Sequence, residues 1–364
     1  MRTSIIKILD RAPVDATLLK EAGEILRRGG LVGFPTETVY GLGGNALDAE
    51  ASKKIYAAKG RPSDNPLIVH ISCMEELPPL VEEIPEAAYR LAERFWPGPL
   101  TMILKKSDRI PLSTSGGLDT VAIRMPSDPI ANALIREAGV PVAAPSANTS
   151  GRPSPTTAQH VVEDLDGKIE MIIDGGAVQV GVESTIIDLT EAVPVLLRPG
   201  AVTLPMLRAL LGEVAVDPVL TRPLSPEMHP KAPGMKYRHY APRAEMILVD
   251  GETERVITEI RRLAAEAEAS GKRVGIIATE ETRERYDAGD VKCIGRRSDV
   301  GSIAHNLFAV LRAFDGDGVD IIYSEAFPES DLGLAVMNRM NKAAGHHHIK
   351  LRADGTELET GGRG

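Results

Sequence analysis

The sequence predicts a large mixed α/β domain joined by a proline-rich linker to a smaller parallel α/β domain. Three observations carry that prediction. Short β-branched runs alternate with amphipathic stretches as far as residue 211. Prolines at 218, 223, 226, 230, 233 and 242 then mark a segment, 213–243, with no sustained periodicity. Beyond residue 244, strand-like and helix-like segments take strict turns. A chain of 364 residues, 43% hydrophobic, is long enough to fill two or three such cores.

In order along the chain, Asp15 is placed to cap a helix whose Leu18, Leu19, Ala22, Ile25 and Leu26 form one apolar stripe and which stops at Gly29-Gly30. Strands are expected at 31–34, 67–71, 101–104, 120–124, 142–144, 171–173, 184–187 and 195–198, each a short apolar run. Helices are expected between them, near 49–58, 86–95, 128–138 and 157–164, and a last one near 203–211. After the linker the pattern reads strand 246–249, helix 254–269, strand 274–278, a short helix, a strand near Cys293, helix 303–314, strand 319–323 and helix 333–344. From His346 the chain is Gly-rich and charged and is expected to fray, with His346-His347-His348 a short surface tract.

The charge balance bears on function. Net charge is −9 and the pI is about 5.5, with 21 basic against 26 acidic residues up to Gly212 and 21 against 25 after it. Neither half carries the basic footprint of a protein that grips a nucleic-acid backbone. Cys73 and Cys293 stand far apart with no C-x-x-C and no clustered histidine, which argues against a disulfide framework or a zinc site. With no signal-like apolar region and no run of 18 apolar residues, a soluble cytoplasmic protein is expected.

There is no P-loop: the Gly-Lys pairs at 167–168 and 271–272 lack the upstream glycine spacing and a following hydroxyl. Gly41-Leu42-Gly43-Gly44-Asn45-Ala46 fits a loose dinucleotide pattern but does not leave a strand directly for a helix. More informative is Lys59-Gly60-Arg61-Pro62-Ser63-Asp64-Asn65-Pro66. Two prolines and a glycine hold it out of helix, so Lys59, Arg61 and Asn65 are expected to point together into a cavity that suits a polyphosphate; taken alone it also reads as a solvated basic turn. A second loop, 144–154, follows a strand and is crowded with hydroxyls and amides suited to a phosphate or ribose, or simply to a turn. His70, Arg124 and Arg198 interrupt otherwise apolar strands. Buried arginines need partners, so the two point either to an anion site or to structural pairs with Asp174, Glu183 or Asp188, while a lone strand histidine also reads as a core residue.

The runs Phe34-Pro35-Thr36-Glu37-Thr38-Val39-Tyr40-Gly41-Leu42-Gly43, Lys59-Gly60-Arg61-Pro62, Asn65-Pro66-Leu67, Trp96-Pro97-Gly98-Pro99-Leu100-Thr101, Arg124-Met125-Pro126, Ser146-Ala147-Asn148 and Glu183-Ser184-Thr185 resemble the YrdC-like threonylcarbamoyl-AMP synthases. Arg198-Pro199-Gly200-Ala201 and the run from Pro233 to Pro242 resemble the long form with an extra C-terminal domain, so the resemblance covers residues 5 to about 345. It implies a YrdC-like twisted mixed sheet with a large concave cavity over 1–212 followed by an extra domain, and the composition and periodicity divide the rest into a linker and lid at 213–243, a smaller Rossmann-like parallel α/β domain at 244–345 and a disordered tail at 346–364.

The same resemblance implies the reaction: L-threonine, bicarbonate and ATP give threonylcarbamoyl-AMP and pyrophosphate, used to modify an adenosine of tRNA. Thr38, His70, Arg124, Ala144 and Ser184 would hold threonine, with Arg124 on its carboxylate. Lys59, Arg61, Asn65, Thr120, Ser146, Asn148, Ser154, Arg198 and Tyr237 would hold ATP. Since an amine and a carbamate are the nucleophiles, no activated Ser or Cys is needed, and orientation and charge stabilisation carry the rate, with Lys59, Arg61 and Arg124 as the catalytic set. Mg2+ is expected to arrive with ATP, and the labile product to pass to a tRNA threonylcarbamoyltransferase. Two other readings share some of these features. A carbamoyl-adenylate-forming transferase component would need partner domains whose zinc-finger cysteines are missing, and a double-stranded RNA-binding module would need a basic surface.

The linker carries one further expectation. It ends in Met235-Lys236-Tyr237-Arg238-His239-Tyr240, cations and aromatics suited to covering a nucleotide, and its six prolines lower the entropy lost on ordering. It is expected to close over the cavity.

Overall fold

A computed structural model describes residues 2–8, 14–220, 232, 239–351 and the backbone of 357–360. Strand β1 (Ser4–Lys7) lies at one edge of the first sheet, and Asp15 opens a helical segment by accepting from Thr17 N, a 3₁₀ turn leading into α1 (Lys20–Arg27). Then follow β2 (Val32–Phe34), β3 (Gly41–Asn45), α2 (Ala49–Lys59), β4 (Ile68–His70), α3 (Glu86–Phe95), β5 (Leu100–Lys105), α4 (Leu112–Ser115) and β6 (Thr120–Arg124). The first unit is completed by α5 (Pro129–Ala138), β7 (Val142–Ala143), α6 (Ala158–Leu165), β8 (Met171–Asp174), β9 (Thr185–Asp188), β10 (Val195–Arg198), α7 (Leu204–Leu211) and β11 (Ala215–Val216). Helix α5 shows why the local signals could be read: Asp128 accepts from Ile130 N and Ala131 N, Pro129 starts the helix, and Gly139 ends it at φ 63°.

Among the described residues the first sheet has 11 strands in the order β1-β8-β2-β3-β7-β4-β6-β5-β9-β10-β11, with parallel and antiparallel pairs mixed. The Gly-rich stretch is β3, paired antiparallel with β2. A Cβ at Gly43 would stand 2.9 Å from both Phe34 and Val142, so its glycines serve close packing and not a phosphate. Strands β4, β6, β5, β9 and β10 turn Val69, Ile123, Met102, Ile187 and Leu196 into the main core. Alternation gives the opposite face a small apolar floor of Ile68, Ala122, Ile103, Ile186 and Leu197. That face carries the site.

The second compact unit comprises residues 238–364 together with Gly151–Pro153. Its elements are β12 (Glu245–Asp250), α8 (Thr253–Ala269), β13 (Val274–Ala278), β14 (Asp290–Cys293), α9 (Val300–Asp317), β15 (Ile321–Glu325), α10 (Leu332–Ala343), β16 (His348–Leu351) and β17 (Glu357–Thr360). The sheet order is β14-β13-β15-β12-β16-β17, parallel except for the β16–β17 pair. Helix α8 buries Val256, Ile257, Ile260, Ala264 and Ala267 in one apolar stripe, with Leu263 partly buried beside it. The segment from His346, expected to fray, instead supplies two strands: β16 pairs with β12 through backbone hydrogen bonds that side-chain polarity does not announce. Within this unit the buried Arg312 donates from Nε and Nη2 to Pro153 O at 3.1 and 2.7 Å.

Candidate active site

The site is assembled on the second face of the first sheet, where pleat alternation aligns polar residues with the apolar floor. His70 and Arg124 are register partners on β4 and β6, and Arg124 faces Thr101 on β5. The Thr101 hydroxyl lies 2.7 Å from that of Ser184, just before β9, and Ser184 accepts from Arg198 through both its carbonyl, at 2.9 Å, and its hydroxyl, at 3.1 Å. His70, Arg124, Thr101, Ser184 and Arg198 thus form one continuous polar row, every member buried. Arg198 bonds Ser184, which is not among the acids weighed above for the arginines. Arg124 takes one that local sequence did not flag, Glu37.

Arg124 Nη2 stands 2.8 Å from Glu37 Oε1, with both side chains about 95% buried. The contact lies off the hydrogen-bond direction, so neither Glu37 oxygen nor that nitrogen completes an aligned hydrogen bond. Burial pushes the Glu37 carboxyl up, but the Arg124 charge first, then the close approach of its guanidinium and the nearby though unaligned backbone N–H groups of Glu37 and Ser127, hold it below the usual range. A signal for Glu37 was present: it is the only charged side chain between Arg28 and Asp48, in a stretch otherwise apolar or neutral. Beside it, Thr38 is fully buried with its hydroxyl 2.8 Å from that of Thr36. His70 places Nδ1 3.0 Å from Ile68 O and meets Phe34 edge-on. Burial first, and the Arg124 cation second, lower its pKa to about 3, so the imidazole is neutral at any working pH.

The basic loop differs from its expectation. Lys59 is the last residue of α2, not part of an open loop, and Gly60 caps that helix at φ 62°. Its ammonium is buried and donates to Ser146 O and, at 2.6 Å, to Asn148 O. The long stem reaches inward because the helix ends against the 144–154 loop, and the two candidate segments are clamped together by this one cation. Arg61 bonds locally, Nη2 to Asn65 O at 3.2 Å and to Pro66 O at 3.0 Å, while the buried Asn65 Oδ1 has no hydrogen-bond donor. In the second loop Ser146 Oγ donates to Asn148 Oδ1 at 2.5 Å, Ser154 Oγ donates to the buried Glu183 at 2.5 Å, and Ala144 contributes a backbone N–H to Ile68 O and a small buried wall.

Thr120 is not brought to the Arg124 end. It begins β6 four residues earlier on the same face, roughly 13 Å away by strand rise. There it lines a recess of about 340 Å³ with Ile103, Lys105, Asp188 and Thr190. Tyr237 lies outside the described residues. Ala232 of the linker is fully buried in the apolar floor with Ile68, Ile103, Ala122, Ile186 and Leu197. The described residues contain no group of three or more His, Cys, Asp or Glu side chains able to hold a metal ion, and no helix long and apolar enough to cross a membrane.

Comparison with known proteins bears on both units. Residues 24–200 match the family described as "Telomere recombination" and residues 202–345 the family described as "Threonylcarbamoyl-AMP synthase, C-terminal domain". The chain is 52% identical to the threonylcarbamoyl-AMP synthase of Pyrococcus abyssi over 349 residues, 96% of this chain and 100% of that one. It is 48% identical to the threonylcarbamoyl-AMP synthase of Bacillus subtilis over 346 residues, 95% and 98% of the two chains. The crystal structure of P. abyssi Sua5 complexed with L-threonine superposes with a TM-score of 0.91 at 51% identity, over 96% of this chain and 100% of that one. With the motif residues gathered on one buried polar row and identity running through both units, the chain belongs to the threonylcarbamoyl-AMP synthase family.

Proposed function

We propose that the buried row on β4, β6, β5 and β9 is the threonine subsite of this threonylcarbamoyl-AMP synthase and that ATP lies between it and the 144–154 loop. The observation that carries this reading is Arg124, a buried cation whose one acidic neighbour leaves its Nη2 without an aligned hydrogen bond. A planar fork in that condition suits a substrate carboxylate. Thr38, His70, Ala144 and Ser184 surround the rest of the amino acid, and the neutral His70 adds no second positive charge. A P. abyssi relative crystallised with L-threonine supports the same choice of substrate.

The product joins the threonine nitrogen, one carbon at the oxidation level of carbon dioxide, and AMP, so bicarbonate and ATP supply what threonine lacks. Carbamate oxygen attacks the α-phosphorus and pyrophosphate leaves. Arg61, Arg198, Asn65, Ser146, Asn148 and Ser154 are assigned to ATP, with Thr120 at the far end of the same face, beside the recess it lines. Lys59 takes an indirect part in this scheme: it holds the carbonyls of Ser146 and Asn148 so that the loop presents its hydroxyls and amides to the nucleotide. Mg2+ would be held by the phosphates and water, since Glu37 and Glu183 already face Arg124 and Ser154. When bound, it neutralises charge on the departing pyrophosphate.

The proline-rich linker is proposed as a lid over this face, a reading that the burial of Ala232 in the apolar floor supports. Excluding water would protect a carbamate and a mixed anhydride that both hydrolyse readily. The enzyme is assigned to the cytoplasm, with its labile product passed to a tRNA threonylcarbamoyltransferase. The deciding experiment incubates purified protein with ATP, bicarbonate and single amino acids and measures pyrophosphate. Release that depends on threonine is expected. Release independent of the amino acid would overturn the substrate assignment.

A further inference from the structure

Beyond the residues assigned above, the buried pair Glu37–Arg124 has the form of a receptor for a zwitterion. The two charges of an α-amino acid are one carbon apart, so it is matched only where a cation and an anion stand side by side. Arg124 and Glu37 do so at 2.8 Å, both shielded from solvent, and both with hydrogen-bonding capacity that their mutual contact leaves unused. A pair kept only for stability would close into an aligned bridge, because unmet polar groups at this depth are costly. We propose that Glu37 receives the ammonium group of threonine while Arg124 takes its carboxylate, and that Glu37 then accepts a proton from that ammonium to release the nucleophilic amine. This inference rests on the reading of Arg124 given above.

The electrostatics favour this order of events. The titratable groups facing Glu37 among the described residues are Arg124 on β6 and His70 on β4, and His70 is uncharged. Burial raises the Glu37 pKa and Arg124 lowers it. Once the threonine carboxylate claims Arg124, the influence of that cation on Glu37 is shared and the substrate ammonium takes its place beside the carboxylate, so the proton to be transferred lies between the two groups. The N–H bond pair stays on nitrogen as the lone pair that forms the N–C bond, and one C=O π pair of the carbon dioxide unit moves to oxygen. Two protons leave nitrogen in all. The one taken by Glu37 is passed on to solvent, and the second joins the hydroxide released as the C–OH bond of bicarbonate breaks and leaves as water, so that threonine and bicarbonate give the N-carboxylate, water and one proton.

The test compares three ligands on the full-length protein: L-threonine, 3-hydroxybutanoate, which lacks the amine, and L-threoninamide, which lacks the carboxylate. Calorimetric binding to the wild type is expected to favour threonine over 3-hydroxybutanoate by about 100-fold or more, as sites built around a polar group reject ligands lacking it. Wild-type affinities within about threefold of each other would overturn the role of Glu37 without any variant being needed. Threoninamide binding as tightly as threonine would instead sink the reading of Arg124, so the two failures are distinguishable. Glu37→Gln is expected to lose most of the discrimination against 3-hydroxybutanoate and to slow threonine-dependent pyrophosphate release roughly 10²- to 10⁴-fold at neutral pH. The deficit should shrink as pH rises past the pKa of free threonine's ammonium group. Glu37→Asp, which keeps the charge, serves if the glutamine variant does not fold, and should retain the discrimination while slowing release. A folded Glu37→Gln enzyme with wild-type discrimination and pH profile would show that Glu37 is only a counter-ion for Arg124.

Discussion

At the scale of single residues, depth of burial decides which substitutions are silent. Lys59 in an open loop would tolerate truncation, since exposed charges contribute little to stability. As observed, its buried ammonium donates to the Ser146 and Asn148 carbonyls, so Lys59→Ala withdraws a charged donor from both. A loss of about 2–4 kcal/mol is expected from two hydrogen bonds to a charged donor, read as a lower urea midpoint; an unchanged midpoint would return Lys59 to the loop picture. Arg124→Lys keeps the charge and loses the fork. It should raise the threonine requirement roughly 10- to 100-fold, the worth of one charge-assisted hydrogen bond, while the KM for ATP moves little. Equal shifts for both substrates would mark a structural role. His70 adds a pH dependence. Its folded pKa, about 3, lies below its unfolded value, so its contribution to stability is whole above pH about 6.5 and is lost as pH falls toward 3. Between those limits the wild type should lose up to about 1.4 kcal/mol per pH unit more than His70→Asn in urea unfolding, and parallel curves for the two proteins would refute this.

At the scale of elements, the strands expose a division of labour that their composition conceals. In β6 the sequence Thr-Val-Ala-Ile-Arg sends Val121 and Ile123 to the core and Thr120, Ala122 and Arg124 to the site face. Period-two alternation makes this inference available for any strand once its buried face is known. The linker sequence obeys no such period, and between Leu220 and His239 the structure describes only Ala232, buried in the apolar floor. Its lid role gives a prediction at this scale. Truncation after Gly212 should leave a folded first unit with under about a tenth of the full-length rate of pyrophosphate release, the scale of loss when water exclusion by a lid is removed. ATP with threonine should also slow proteolysis within 213–243 in the intact protein. A truncated unit as fast as the whole, with no protection by ligands, would reduce the segment to a tether.

At the scale of the whole molecule, the acidic balance, −9 with neither half basic, bears on nucleic acid. Pyrophosphate release should proceed at full rate without tRNA, and any tRNA affinity measured at low salt should fall steeply by about 150 mM, the behaviour of non-specific phosphate contacts. Tight, salt-resistant binding would contradict this and revive the RNA-binding alternative.

The sequence by itself determined the fold class and most elements, and it named the candidate residues from which the proposed site is drawn. Periodicity, helix caps such as Asp128 with Gly139, and motif runs all act within a few residues of one another, where local sterics and hydrogen bonding suffice. It missed β1, β3, β11, β16 and β17, because a short strand becomes a strand only when a distant neighbour supplies its backbone partners. Only the tertiary structure decided which polar groups meet. Glu37 reaches Arg124 across 87 positions, and Lys59 ends a helix beneath carbonyls at 146 and 148. Burial strips water from such pairs, so partners and charge states are set by whichever groups the packed sheet brings into contact, and local sequence carries no record of that.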